Sequence, residues 1–197
     1  MLVVLNFVIL IVMKTRLFFL LLLLCCLPAS AQIRLKGVNQ SDINPVLLEG
    51  RWKARWISVP DEPVNIFGVY HFRKSFTVDN IPARFIVHVS ADNRYKLFVN
   101  GVQVSLGPSR GDIYNWSYET VDIAPWLKSG KNVLAAVVWN FADQKPIAQI
   151  SFNQTGFLLQ GNSPAEEIVN TDNTWLCVKN SAYSPWSAIM QSVPANK

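Results

Sequence analysis

Residues 69–106 alternate apolar and polar side chains in short runs, and turn residues separate these runs. Successive side chains of a strand point to opposite faces, so this alternation predicts half-buried β-strands. Asn100-Gly101 joins two of the runs, and Asn-Gly is the strongest short hairpin signal because both turn residues must take positive φ. We therefore expect a β-meander over 85–106, with Ala91-Asp92-Asn93 as its other turn.

Further strand candidates follow this region. They are the runs 118–123, 132–141, 147–160 (one long strand or two short ones), 168–169 and 175–178, with one helical turn at 124–130. No helical pattern of three turns, no strand–helix alternation and no internal repeat is visible. The pattern predicts an all-β fold, an antiparallel β-sandwich or jelly roll.

The first 31 residues match a secretory signal peptide. Lys14 and Arg16 form its charged region, an apolar core follows, and Ala29-Ser30-Ala31 is a small-residue cleavage site. Met13 is an alternative start. An uncleaved anchor over 1–27 is disfavoured because both internal charges would be costly inside a bilayer. We expect a secreted, periplasmic or cell-envelope protein with no other membrane association.

The rest of the chain divides into a polar leader or linker (32–50), the sandwich domain (51–180) and the start of a linker to a downstream domain (181–197). Without the signal, 16 Lys and Arg against 13 Asp and Glu leave a net charge of +3. These basic residues are scattered, so we do not expect nucleic acid as a partner. Cys177 is the one cysteine beyond the signal, which excludes an intrachain disulfide and a paired-cysteine metal site.

The sequence offers no catalytic or metal-binding motif. His71 and His88 lie on separate predicted strands without metal-ligand spacing, and we interpret both as packed or surface residues. Gly107-Pro108-Ser109-Arg110-Gly111 matches the letters of a Gly-x-Ser-x-Gly motif, but it does not lead into a helix, so it does not predict a nucleophile elbow. The same run lacks the Lys-Ser/Thr pair of a phosphate loop. Asp92 is expected to bond within its own turn, and Asp122 to cap the helical turn. We therefore assign no catalytic residue, no metal ligand and no cofactor.

Aromatic residues are the better candidates for ligand binding, because sugars stack their C–H faces on aromatic rings while polar groups fix their orientation. Trp116 leads, since it shares a polar loop with Arg110, Asp112 and Tyr114. Alternatively, Trp116 and Tyr114 close the end of the sandwich or contact another domain. The candidate carbohydrate-binding residues are Asp92, Arg94, Arg110, Asp112, Tyr114 and Trp116. The tryptophans that we expect in the core are Trp56, Trp126 and Trp139.

An ordered series of segments resembles a known family. It includes SADNRYKLFVNG at 90–101 and LGPSRGD at 106–112, and the remaining segments are 54–57, 70–76, 116–120, 122–124, 127–133 and 138–140. Together they resemble the galactose-binding-domain-like β-sandwich in the N-terminal region of secreted bacterial α-L-rhamnosidases. The resemblance covers about residues 51–178 and is less specific for rhamnose than for this type of domain.

The resemblance implies a multidomain, inverting glycoside hydrolase whose catalytic (α/α)6 barrel follows its β-domains. The two acids of that barrel have no counterparts in this chain. It therefore implies a non-catalytic accessory module, with a rhamnose-containing glycan and the C-terminal catalytic domain as partners. Two alternatives are a free-standing carbohydrate-binding envelope protein and a purely structural interdomain scaffold. Calcium is compatible with jelly rolls of this kind, but no acidic cluster in the sequence argues for it.

Overall fold

The structure, a computed structural model, describes residues 37–49 and 52–185. The predicted signal peptide (1–31) lies outside these residues, as do positions 186–197 of the predicted C-terminal linker. In the described part of the chain, no helix is long and apolar enough to cross a membrane.

Antiparallel strands form two sheets in the described residues. The strands are β1 (Gly68–Val78), β2 (Ile86–Asp92), β3 (Arg94–Val99), β4 (Val102–Gly107), β5 (Glu119–Asp122), β6 (Gly130–Asn140), β7 (Gly156–Gly161) and β8 (Leu176–Lys179). One sheet has the order β4-β3-β6-β1-β8, and the other has the order β5-β2-β7. The predicted all-β antiparallel sandwich is confirmed.

The inner faces of the two sheets enclose one apolar core. Tyr70 and Phe72 of β1 meet Val87 and Val89 of β2, and all four are at most 1% exposed. Phe157 of β7 lies 5.4 Å from Phe72, measured between ring centroids, and so joins the two sheets. Each large apolar side chain buried in this way contributes about 1.5–3 kcal/mol to stability.

The predicted meander over 85–106 is wrong at its first turn. β2 pairs with β5 and β7, whereas β3 pairs with β4 and β6, so the chain passes from one sheet to the other at Asn93. Alternation identifies strands, but it does not identify their neighbours. The β3–β4 hairpin is confirmed, with Asn100 and Gly101 at φ values of 49° and 88°.

Two other strand predictions differ from the described structure, one in part and one entirely. In the run 147–160, residues 147–155 form a loop and β7 begins at Gly156. Ile168 and Val169 lie in a 3-10 turn, Glu167–Val169. The helical turn predicted at 124–130 is present as a 3-10 turn, Ala124–Trp126. Apolar residues in these two runs do not pair as strands, and Ile147, Phe152 and Ile168 are exposed.

The segment before β1 covers the outer face of the three-stranded sheet. The predicted leader contains a 3-10 turn (Gln40–Asp42) and a short helix, α1 (Pro45–Glu49). Asn44 donates two hydrogen bonds to Asn162, from its backbone amide to Oδ1 and from Nδ2 to the carbonyl. The amide of Ala54 donates to Gln160 Oε1 over 2.8 Å. This cover explains why β2 is buried at all seven positions.

Candidate functional site

A cleft of about 260 Å³ opens beside the end of β2. Its lining residues are Trp56, Asp92, Phe152, Gln154, Thr155 and Gly156. Trp56 and Phe152 are 47% and 49% exposed, which is unusual for such large apolar side chains. Small-molecule pockets commonly measure about 300–1,000 Å³, so this cleft suits one ring-sized group.

Three aromatic rings form a cluster at the cleft. Phe152 and Trp116 lie 4.6 Å apart between ring centroids and tilt by 31°. Trp56 meets Trp116 edge-on at 6.5 Å. The indole Nε1 of Trp116 donates to Ser90 Oγ over 3.0 Å, and Ser90 Oγ donates to the Ser117 carbonyl. These bonds fix Trp116, while the other two rings keep exposed surface for a ligand.

Asp92 holds the loop that carries Phe152. Asp92 is buried, with 3% of its surface exposed. Oδ1 accepts a hydrogen bond from Asn93 Nδ2 over 2.6 Å, and Oδ2 accepts one from the Phe152 amide over 2.7 Å. Asn93 Oδ1 in turn accepts from the amide of Phe141. The sequence prediction that Asp92 bonds within its own turn holds for one oxygen only: Oδ1 bonds the Asn93 side chain in the turn, whereas Oδ2 bonds the Phe152 amide, sixty residues away.

Gly156 lets the ring of Trp56 approach the cleft closely. A Cβ at this position would lie 2.9 Å from Trp56 Cε3. Real Cβ atoms essentially never come so near to another carbon, so a side chain here would displace the indole. The glycine at the start of β7 thus helps to shape one wall of the cleft.

A narrower slot adjoins the cleft on the other side of Trp116. Asn93, Arg94, Arg110, Trp116 and Gln149 are among its lining residues, and it offers a volume of only about 10 Å³. That volume is about enough for one small polar group or one water molecule. Arg94 Nη1 donates to the Pro108 carbonyl over 2.9 Å.

The structure separates the predicted site residues into three groups. Asp92 lines the cleft, Trp116 and the two arginines line the slot, and Asp112 and Tyr114 line neither. Asp112 Oδ1 accepts from the amides of Tyr114 and Asn115, and Asn115 Nδ2 donates to both oxygens. The Asn115 side chain, followed by these amides, lowers the pKa of Asp112. This carboxylate therefore organises its own loop.

The tryptophans expected in the core behave differently from one another. Trp126 packs partly buried against the core, as predicted. The prediction for Trp56 is wrong, because its ring borders the cleft. The prediction of a core position for Trp139 is wrong as well, because the alternation of side chains along β6 places it on the outer face. Sequence reasoning also missed Phe152, which carries no pattern that distinguishes it from other loop aromatics.

No group of three or more His, Cys, Asp or Glu residues capable of holding a metal ion occurs in the described residues. Asp92, the carboxylate that lines the cleft, already accepts hydrogen bonds on both oxygens. The donor set at the cleft therefore gives no support for a calcium site.

The described residues thus form an antiparallel β-sandwich that exposes aromatic rings at a cleft. Comparison with solved structures shows which proteins have a similar fold. The GH78 family rhamnosidase of Bacillus sp. GL1 is similar, with a TM-score of 0.55 and 27% identity over 66% of this chain. The α-L-rhamnosidase of Dictyoglomus thermophilum shares the fold, with a TM-score of 0.51 and 20% identity over 66% of this chain.

The similar region is a small part of those enzymes, 14% of the Bacillus chain and 17% of the Dictyoglomus chain. A lectin from Pleurotus ostreatus, solved with GalNAc, has 18% identity over 64% of this chain and 36% of its own, with a TM-score of 0.40. No protein-family model and no curated protein matches the chain. The predicted resemblance to a domain of α-L-rhamnosidases is confirmed.

Proposed function

We propose that this chain is a secreted, non-catalytic, carbohydrate-binding accessory module of an α-L-rhamnosidase-type glycoside hydrolase. The observation that carries the proposal is the cleft between Trp56 and Phe152, on a fold shared with a GH78 rhamnosidase. Secretion is supported by the signal-like sequence of the first 31 residues.

The chemistry of the cleft suits sugar binding. Exposed aromatic faces can stack on the C–H face of a pyranose ring. The side-chain amide of Gln154 and the hydroxyl group of Thr155 can form hydrogen bonds with the hydroxyl groups of the sugar. Glycosidic cleavage usually needs two carboxylates on either side of the bond. Asp92 is the one carboxylate among the lining residues, and its oxygens are engaged by Asn93 and Phe152. The cleft therefore favours binding over hydrolysis.

Calorimetric titration with L-rhamnose and rhamnose-containing oligosaccharides tests this proposal. Trp56→Ala should weaken binding about tenfold, because the ring supplies one stacking face. Tyr114→Ala is the matched control, since Tyr114 is 89% exposed and lies outside the cleft. Unchanged affinity in the Trp56 variant would remove the cleft as the site.

Hydrolysis is tested separately with a chromogenic aryl α-L-rhamnoside. We expect no release of the aryl group by this chain. Release that survives repeated purification would show that the chain is itself catalytic. The partner in the proposal, a catalytic (α/α)6 domain of the same protein, is tested by whether the reading frame continues beyond Lys197 into a helical repeat region.

A second candidate is an interdomain scaffold, and the outer face of the five-stranded sheet favours it. One row across this face, in register from β4 to β8, reads Leu106, Lys96, Val137, His71 and Val178. Leu106 and Val178 are 51% and 59% exposed. Antiparallel sheets that face water usually carry polar residues there, so this face suits contact with another domain. A scaffold without a ligand predicts no glycan binding in the titration above.

A further inference from the structure

We propose that the slot beside the cleft binds the carboxylate of a uronic acid, so that the preferred glycan carries an acidic sugar next to the ring held in the cleft. This inference rests on the proposed function and specifies the charge of the ligand. Arg94 and Arg110 would bind the carboxylate, and Trp116 would separate it from the neutral ring.

The two arginines have no acidic partner in the described residues. The five ion pairs found there involve Lys53, Lys74, Arg84 and Lys179 on the basic side. Arg94 uses one nitrogen on the Pro108 carbonyl, and a guanidinium has five N–H donors. Arg110 is exposed, and no hydrogen bond from its side chain is found in the described part of the chain.

The nearby carboxylates are committed to other donors. Glu119 Oε1 accepts from the Ser109 amide over 2.7 Å and from Ser109 Oγ over 2.6 Å. Asp112 accepts from Tyr114 and Asn115, within its own loop. Each acid thus stabilises backbone near the slot without forming an ion pair with either arginine. The guanidinium groups of Arg94 and Arg110 therefore keep N–H donors that no carboxylate of the described residues occupies.

The shape of the slot selects a small, flat anion. A guanidinium fork matches the two oxygens of a carboxylate, and such charge-assisted bonds are about twice as strong as neutral ones. Gln149 also lines the slot; its Nε2 donates to the Ile150 carbonyl and has a second N–H that can bond the carboxylate.

The slot and the cleft are close enough for one oligosaccharide. Asp92, in the cleft, and Asn93, in the slot, are consecutive residues. Trp116 of the slot contacts Phe152 of the cleft, with 4.6 Å between ring centroids. Neighbouring sugars of one glycan can therefore occupy both, with the neutral ring against Trp56 and Phe152.

The test compares two forms of one probe by calorimetric titration of the full chain. The probe is an oligosaccharide of alternating rhamnose and galacturonate, used as the acid and as its uncharged methyl ester. The acid form should bind about tenfold more tightly at low salt, and this advantage should shrink at high salt because charge attraction is screened.

Arg110→Ala should remove the preference for the acid by weakening binding of the acid more than binding of the ester, because only the acid gains a charge-assisted bond from Arg110. Arg110→Lys should keep part of the preference, since it keeps the charge and loses the fork. Arg73→Ala is the matched control, because Arg73 is also exposed but lies on the outer face of β1.

Equal binding of acid and ester by the wild-type protein would overturn the uronate assignment and leave the proposed glycan-binding function standing. An equal loss of affinity for acid and ester in Arg110→Ala would also overturn the uronate assignment and leave the glycan-binding function standing. Tighter binding of a sulfated oligosaccharide than of the acid would show that the slot is not a carboxylate site. Absence of binding to every form would overturn both proposals.

Discussion

Asp92 links the strand core to the aromatic wall of the cleft. Its Oδ2 accepts from the Phe152 amide over 2.7 Å, while its Oδ1 accepts from Asn93 at the crossing between the sheets. A buried carboxylate that accepts only N–H donors fits its site well, since an ionised carboxylate donates nothing. The position of Phe152 therefore depends on charge and geometry at one residue.

Asp92→Asn should lower stability by about 1–3 kcal/mol, because one amide NH₂ must then face a buried N–H donor. Glycan affinity should fall as well, since the Phe152 loop loses its anchor. Urea unfolding measures the first effect and calorimetric titration the second. Asp143→Asn, on an exposed position after β6, should change neither quantity. A stable Asp92 variant with full affinity would show that the loop is held by other contacts.

His88 is a buried histidine in a polar pocket behind the cleft. Its Nδ1 lies 2.9 Å from Thr120 Oγ1, and its Nε2 lies 3.1 Å from Asn162 Oδ1. Because Asn162 Nδ2 donates to the Asp42 carbonyl, the facing Oδ1 is an acceptor, so Nε2 of His88 carries the proton. Burial lowers the pKa of His88, against raising contributions from the Asn162 hydrogen bond and the charge of Glu166.

The lowered pKa makes stability depend on pH. Below the unfolded value of about 6.5, the unfolded chain binds a proton that the folded protein rejects. Stability should therefore be full above pH ~6.5 and fall by up to about 1.4 kcal/mol per pH unit below it, until the folded pKa is reached. Urea unfolding between neutral and mildly acidic pH measures this slope.

His88→Gln should remove this part of the slope, although the variant will be less stable at every pH. His71→Gln, on the outer face of β1, keeps His88 and should keep the slope that His88 produces. A slope that persists in His88→Gln would assign the pH dependence to carboxylates instead.

Among the elements, the β3–β4 hairpin is fixed most locally. Gly101 has a φ of +88°, and no atom lies within 4 Å of a Cβ built on it. Gly101→Ala should therefore cost about 1 kcal/mol from backbone strain alone. Gly37→Ala is the control, since Gly37 has the same open space without a positive φ, and it should be neutral in thermal unfolding. Equal effects of the two substitutions would contradict the strain argument.

Local signals predicted the strands better than they predicted the sheets. Asn100-Gly101 determines its own turn, so the sequence suffices for that hairpin. The partners of β2 depend on which face of it meets the second sheet, and here both faces are buried. One face of β2 packs in the core, and residues 37–49 and 52–57 cover the other. The sequence of such a strand does not indicate which strands pair with it.

The candidate site was predicted only in part, for a related reason. Trp116 was found because it lies in a loop rich in polar and aromatic residues. Trp56 and Phe152 are almost one hundred positions apart and meet at the cleft only through the fold. Tertiary packing brings them together, and neither position has a local pattern that distinguishes binding from burial.

At the scale of the whole molecule, the two sheets present different outer surfaces. The three-stranded sheet is covered by residues 37–49 and 52–57 of the chain itself, with Trp52 packed 5.8 Å from His88 between ring centroids. The five-stranded sheet has no such cover in the described residues, and its edge strand β8 exposes Leu176 and Val178 by 70% and 59%. An exposed apolar edge strand is prone to pair with other chains.

The uncovered face should make the isolated protein self-associate as its concentration rises. Replacing Leu176 and Val178 together with lysine should reduce this association and the binding of a hydrophobic dye, because both side chains point outward opposite Arg73 and His71. Stability should change little, since neither side chain is buried. Sedimentation measures the association.

Ile147→Lys is the control. Ile147 is fully exposed on the loop that follows β6 rather than on a strand, so this change should leave association unchanged. A wild-type protein that remains monomeric and binds no dye would contradict the idea that this face needs a covering domain.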